Sequence, residues 1–506
     1  MIQGLLDALV NLSNPQTLLL IFVAVLFGML MGVLPGLGGS VALALLIPIS
    51  YGMQPETATT FLIAAYSVVG FGGMITSILV NTPGAPENAA TTFDGYALAR
   101  QGRAPEAIGA ATASSVLGGL LGTFVLILLV PLARKLILAF SYPEFFMMAI
   151  LGLSVIAVVT HGQTYKGLIS AGVGFMLAFI GLDPVTGSPR YTFDQLYLWE
   201  GLGIVPVLVG LFAGAEVLAL YGMGSAVARR IDPAERTTST FLQGVGAGLR
   251  RWFLIVRGSI IGVVVGIIPG VGGTVASFLS YGHAAQTSRN PERFGKGAVE
   301  GVIAAESAND AKEGGSLLPT VAFGIPGSTG MAVVLGALIL HGVPAGPTLM
   351  RDHVNIVYAL IISMAVSKLI APFVVWAIGS RATWFTQIRP QVLAPLIAVT
   401  ALVGVYALQQ QILDILVAVV FGYVGYQMSK HNFSRVALII ALVLGGLVED
   451  SYHQTVSAFG GVSGFVTRPI SAVLLALTIA SLVAPALLAR RRRNRSRRDG
   501  VEVGHS

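Results

Sequence analysis

Residues 27 to 42 read FGMLMGVLPGLGGSVA and residues 261 to 276 read IGVVVGIIPGVGGTVA, identical at eight of sixteen positions with a constant offset of 234. Each copy is an apolar run that ends in Pro-Gly-x-Gly-Gly-Ser/Thr. The chain therefore drives a helix into apolar surroundings and breaks it there, freeing backbone groups that helix would have paired. In lipid such a break survives only where protein buries it or where it lines a watery cavity. Paired breaks in corresponding halves of a polytopic chain point to a transporter's binding site.

Composition sets the class. Of 506 residues, 55% are apolar and only 10% charged, and the mean hydropathy is +0.81. These values belong to an integral membrane protein and exclude an ordinary soluble domain. Apolar runs long enough to cross a bilayer, about 20 residues each, predict an all-α polytopic fold of about 11 to 13 transmembrane helices, some broken or re-entrant. No Lys or Arg precedes Arg100. A cleaved signal peptide wants a positive leader, so the first apolar run reads as a retained helix. The tail RRRRNRSRR, 490 to 498, carries seven arginines, which predicts a cytoplasmic C-terminus and no nucleic-acid partner. With no cysteine in the chain, disulfides, thiolate metal sites and Cys nucleophiles are excluded.

The expected organisation is an N-terminal half over 1–222, a polar connector over 223–251 with five arginines, a C-terminal half over 252–489 and a basic tail over 490–506. A second interruption follows in each half: Asn81-Thr82-Pro83-Gly84-Ala85-Pro86 and Gly324-Ile325-Pro326-Gly327-Ser328-Thr329. The interval between breaks is nine residues longer in the second half, as in an old duplication with insertions. Inverted repeats are the expected relation, from the general habit of such folds. Gly28 and Gly32, with Gly262 and Gly266, repeat a small-xxx-small step that brings helices close.

A helix that starts inside the bilayer aims unpaired N–H groups and a positive dipole end at whatever fills the cavity, an anion site built without a buried arginine. Gly36, Gly38, Gly39 and Ser40, with Gly270, Gly272, Gly273 and Thr274, are the candidates at the first breaks. Asn81, Thr82, Pro83 and Gly84, with Gly324, Pro326, Gly327, Ser328 and Thr329, are those at the second. The alternative is a set of surface turns without a ligand. A nucleotide loop is excluded, because neither a Walker lysine nor a full GxGxxG follows.

Acids near apolar segments include Glu56, Glu87, Asp94, Glu216, Glu306, Asp310 and Glu313, where an unpaired charge is costly. Glu306, Asp310 and Glu313 share one helical face, with Asn309 and Lys312 beside them. That face reads either as a polar lining and cation site or as a solvated helix face. Glu87, Glu306, Asn309 and Asp310 are the coupling-ion candidates; Na⁺ is possible as the metal, with no ligand set defined. His161, His341, Lys135, Lys166 and Lys368 are isolated in sequence and read as interface snorkelling or satisfied hydrogen bonds. No HExxH, GxSxG or Cys/His cluster occurs, so no catalytic residue and no organic cofactor is expected.

The segments VNTPGAPENAATTFDGYALARQG (80–102) and ESANDAKEGGSLLPTVAFGIPGSTGMAVVLGALILHGVPAGP (306–347) resemble the large membrane subunit of bacterial tripartite tricarboxylate transporters, over about residues 20 to 485. The resemblance implies secondary, ion-driven uptake of a citrate-like di- or tricarboxylate in the inner membrane. Its implied partners are a small membrane subunit, a periplasmic solute-binding protein and membrane lipid, with symport of Na⁺ or H⁺. A channel or exporter on the same scaffold, or a membrane-embedded enzyme, are the alternatives. The family's pattern of paired asparagines followed by small residues is replaced here by Asn309-Asp310-Ala311-Lys312-Glu313.

Overall fold

The computed structural model describes residues 2–12, 14–34, 37–137, 139–159, 164–222, 239–378 and 390–483. Four predicted features lie partly or wholly outside these: Pro35 and Gly36 of the first break, His161, much of the connector (223–238), and the basic tail.

The described chain is helical almost throughout. An apolar lead helix α1 (Ile2–Leu12) precedes α2 (Pro15–Val33), which starts where Asn14 Oδ1 accepts from the Gln16 N–H at 3.1 Å. Pro15 fits the first helical position because its missing N–H would have been unpaired there anyway. α3 (Gly38–Ser50) follows the first break. α4 (Pro55–Tyr66) and α5 (Val69–Val80) form one rod interrupted at Ser67 and Val68. Asn81 ends it in the left-handed region, φ +57°. A 3₁₀ turn (Pro86–Asn88) then leads to α6 (Thr91–Arg100) and the 34-residue α7 (Ala104–Ile137).

Helices α8 (Tyr142–Val159) and α9 (Thr164–Ala178) precede a short hairpin that pairs Gly181 with Arg190 and Leu182 with Pro189. α10 (Ile204–Val209) and α11 (Ala215–Gly222) flank a π-helical turn at Gly210–Gly214. The second half begins with α12 (Phe241–Arg250), α13 (Trp252–Ile267) and α14 (Gly272–Thr287). α15 (Val299–Phe323) ends at Gly324 with φ +70°. α16 (Thr329–Leu340), α17 (Pro347–Asp352), α18 (Val354–Ile378), α19 (Pro390–Gln409), α20 (Ile412–Lys430), α21 (Arg435–Phe459) and α22 (Gly464–Thr467) complete it.

Among the described residues seven helical rods are long and apolar enough to cross a membrane, and seven shorter apolar helices accompany them. The protein is an all-α, multi-pass membrane protein.

Two compact units emerge, and each draws on both halves of the sequence. One gathers residues 1–138 and 203–431, the other 139–202 and 432–506. In the smaller unit, Glu144 is buried and accepts from Arg468 Nε at 2.6 Å, Ser471 Oγ at 2.8 Å and the Ser141 N–H at 2.9 Å. The hairpin of the same unit is tied down by Arg190, which donates to Glu449 at 2.5 Å and pairs with Asp183 at 3.2 Å.

The larger unit is built around α15. Its sequence is the most charged of the long helices, yet it is buried continuously from Gly301 to Ala322. Glycines make that possible. A methyl at Gly118 or Gly122 of α7 would strike the backbone at Ser307 or Ala311, and one at Gly262 or Gly266 of α13 would strike that at Ala308 or Lys312. Small residues let the backbones meet on both sides, as in membrane helix packing generally. The solvated-face reading of residues 306–313 is thus overturned: the acids are interior.

Candidate functional site

The same contacts occur twice. Gly32 faces the Val69 carbonyl and the Gly73 N–H, while Gly266 faces the Lys312 carbonyl and the Ser316 N–H. Gly84 lies against Gly32 and Gly73, and Gly327 against Gly266 and Ser316. Gly32 recurs 234 positions later, the offset of the first break, and Val69, Gly73 and Gly84 recur 243 positions later, that offset plus the nine-residue insertion. Backbone conformation follows suit. Gly38 and Gly272 open their helices at φ +54° and +75°, and Asn81 and Gly324 close theirs at +57° and +70°.

The N-termini of α3 and α14 are therefore shaped alike. Leu37 and Val271 occupy their cap positions and contribute no side-chain cap, and the candidate hydroxyls Ser40 and Thr274 lie inside the first turn. No cap-position side chain takes a first-turn N–H of either helix. α16, by contrast, is capped by Ser328 Oγ, which accepts from the Met331 N–H at 3.3 Å.

The start of α14 is walled in part by the first half, and the Tyr66 ring beside the start of α3 is packed by the second. Gly39 sits against the ring of Tyr66, and Gly330, just past the second half's second break, meets the same ring. Gly273 sits against Glu87, just past the first half's second break, together with Asn309 and Lys312. Tyr66 Oη lies 3.2 Å from Ser328 Oγ and accepts from Lys312 Nζ at 3.3 Å. Lys312 is 2% exposed and lies 3.9 Å from Glu87. In the second half the Gly270 N–H donates to the Gly327 carbonyl at 3.2 Å, joining its two breaks directly.

So Gly38, Gly39, Gly270, Gly272, Gly273, Gly327, Ser328 and Glu87 converge with Tyr66, Asn309 and Lys312. Other candidates stand apart. Asn81 is exposed, Thr82 Oγ1 makes only a long 3.4 Å bond to the Val80 carbonyl beside Pro83, and Gly324 faces Gly346. Pro326 is buried, and Thr329 is exposed. Gly36 is outside the described residues.

To the backbone anion site expected without a buried arginine the structure adds a buried lysine, Lys312. A lysine inside an apolar segment is costly unless paired, and here Tyr66 and Glu87 pair it.

Glu306 and Asp310 lie behind this centre and are held by protein. Glu306 accepts from Asn88 Nδ2 at 3.0 Å, from the Thr91 hydroxyl in a short bond, and from Ser115 Oγ at 3.4 Å. Asp310 Oδ1 accepts from Lys368 Nζ at 2.5 Å, and Glu313 accepts from the same nitrogen at 2.8 Å. Lys368 is fully buried, so the snorkelling reading fails for it. For others it holds better: Lys135 is exposed, Lys166 lies 5.3 Å over the Phe433 ring, and His341 Nε2 lies 2.9 Å from Ser50 Oγ. Asp94 has a structural task, accepting from the N–H groups of Gly297 and Ala298, both at 2.8 Å, at the start of α15.

Sequence reasoning missed Tyr66, Lys368 and Asn88. The available signal was α7's run of glycines: Gly119 leaves the space that the Lys368 stem fills. Among the described residues no group of three or more His, Cys, Asp or Glu could hold a metal ion. A cleft of about 690 Å³ between α7 and α12, lined by Arg103, Glu106, Gln243 and Arg251 among others, lies away from the breaks.

A buried polar centre built from interrupted helices, inside a multi-pass all-α bundle, is the architecture of a membrane transport protein. The chain belongs to the tripartite tricarboxylate transporter TctA family, whose model matches residues 18–440. It is 34% identical, over 99% of both chains, to a protein of Agrobacterium vitis described as an uncharacterized 52.8 kDa protein in the TAR-I ttuC' 3' region. A second protein of that organism, described as uncharacterized and in the TAR-II ttuC' 3' region, is 33% identical over 48% of this chain and 99% of its own length. No solved structure matches the chain.

Proposed function

We propose that this chain is the permease subunit of a binding-protein-dependent secondary transporter that imports a citrate-like di- or tricarboxylate by symport with Na⁺ or H⁺. It would lie in the bacterial inner membrane with its C-terminus in the cytoplasm. It would work with a small membrane subunit and a periplasmic solute-binding protein, and without an organic cofactor. The two halves would be inverted repeats of one unit.

The observation that carries the reading is the bridge between two helix starts without side-chain caps: Gly39 lies against Tyr66, Gly273 against Lys312, and the Lys312 ammonium donates to the Tyr66 hydroxyl. Helix N-termini attract anions, and a buried ammonium adds a full charge for one carboxylate. Tyr66, Ser328 and Asn309 would orient the remaining oxygens. Glu87 would release Lys312 toward the substrate as the centre opens.

Uptake of labelled carboxylates into vesicles holding the permease and its small subunit, with and without binding protein and with and without an ion gradient, tests the proposal. Concentrative, binding-protein-dependent uptake is expected. Downhill flux indifferent to any gradient would make it a channel instead.

A further inference from the structure

Lys368 crosses from α18 into the centre of the larger unit and ends at three oxygens: Asp310 Oδ1 at 2.5 Å, Glu313 Oε2 at 2.8 Å and the Ser67 carbonyl at 3.0 Å. The two acids are one helical turn apart on α15. Ser67 lies where the α4–α5 rod is interrupted, and it is the counterpart of Asp310 at the 243-residue offset. Two carboxylates and a carbonyl at a helix interruption form the kind of all-oxygen set that holds an alkali cation in ion-coupled transporters. Here an ammonium fills it.

The fit is a built one. The lysine is 0% exposed, Asp310 is 2% exposed, and the stem runs through the gap left by Gly119 of α7. The Phe71 ring of α5 lies 5.8 Å from the ammonium. Asp310 Oδ2 is buried and carries no hydrogen bond, so the set has coordinating capacity that the ammonium leaves unused. The other ionisable groups nearby are engaged elsewhere: Lys312 with Tyr66 and Glu87, and Glu306 with Asn88, Thr91 and Ser115. Lys312 also acts on Glu313 through space, but its ammonium bonds Tyr66 and faces Glu87 and makes no hydrogen bond to the Asp310–Glu313 pair. Removing the lysine would leave buried carboxylate charge uncompensated, a costly state that a small cation relieves.

We propose that Lys368 is a built-in substitute for a coupling metal ion, its ammonium occupying an Asp310–Glu313–Ser67 cation site, so that this protein works without Na⁺. This rests on the transport reading above and selects the proton from its two coupling ions. It also means that truncating Lys368 turns the site into one that takes Na⁺.

The test has two arms. In the first, the purified full-length chain is melted in NaCl and in choline chloride of equal ionic strength. The wild type is expected to melt alike in both. Lys368→Ala is expected to show an upward shift that saturates with Na⁺, and the triple variant Lys368→Ala, Asp310→Asn, Glu313→Gln none. A saturable Na⁺ shift in the wild type, or a folded Lys368→Ala protein indifferent to Na⁺, overturns the proposal. Should Lys368→Ala fail to fold, the wild-type comparison still decides. In the second arm, uptake by the wild-type permease with its partners is measured in the same two salts. Equal rates are expected; a tenfold loss on replacing Na⁺ overturns the proposal. If no carboxylate enters in either salt, the transport reading falls, and the melting arm alone judges the cation site.

Discussion

Lys312, from the second half of the chain, donates its ammonium to the hydroxyl of Tyr66, from the first, across 3.3 Å. The bond ties the two halves at the point where their interrupted helices meet. Its charge has no counterpart in the other half, since position 69, 243 residues earlier, is a valine.

Replacing Lys312 by Gln should therefore weaken substrate capture more than it weakens the fold. A tenfold or larger rise in the KM for uptake is expected, about 1.4 kcal/mol or more, with the chain still in the membrane. Tyr66→Phe removes one neutral hydroxyl and should cost about 1 kcal/mol at most. Initial uptake rates against carboxylate concentration separate the two; an unchanged KM in Lys312→Gln would remove the lysine from the site.

Glycines at the breaks should divide by cause. Gly272 has φ +75° and open space around its missing side chain. Ala there pays only for the left-handed backbone, about 1 to 2 kcal/mol. At Gly327 a methyl would come within 2.8 Å of the Gly266 carbonyl and 2.6 Å of Ser316 Cα, so the backbones must part. Gly327→Ala should lower the melting temperature clearly more than Gly272→Ala. Equal shifts would show that the close approach is not what the glycine serves.

Arg468→Met should destabilise the smaller unit strongly, by about 3 kcal/mol, because it strips Glu144, a buried carboxylate, of the cation it pairs with among the described residues. Adding Glu144→Gln should recover most of the loss. Melting of both variants checks this; no recovery in the double variant would mean that Arg468 contributes by packing alone.

The hairpin should carry an acid-sensitive tie. The N–H groups of Thr186 and Val185, at 2.8 and 2.9 Å, and the nearby Arg190 hold the Asp183 carboxyl below its ordinary value. A depressed pKa in the folded state means that the contribution is complete above the unfolded value of about 3.9 and is lost as pH falls through the lower folded value. Protease nicking of 183–190 should rise below about pH 4, and Asp183→Asn should flatten that dependence. A rise already present near neutral pH would point to another group.

Much of this was legible in the sequence because it depends on local chemistry. PGxGG repeated at a fixed interval announces a helix that stops and restarts, and the positive φ at Gly38 and Gly272 is what such glycines permit. The scarcity of charge marked Glu306, Asp310 and Glu313 as worth explaining. Their partners were not legible. Asn88 lies 218 positions from Glu306, and Lys368 lies 58 from Asp310 on another helix. Periodicity fixes which face of a helix a residue occupies, but only packing decides what that face meets. For the same reason the acids of one helical face parted company, Glu306 turning to neutral donors and Asp310 and Glu313 to an ammonium.

The crossed cover over the two helix starts has a mechanical side. Gly39 is walled by Tyr66, whose ring Gly330 packs, and Gly273 by Glu87 and Lys312, so the walls of the two niches lean on both halves of the chain. Sliding one half past the other would then unseat both niches together. Gating of this kind works as a single hinge pin rather than as two independent doors.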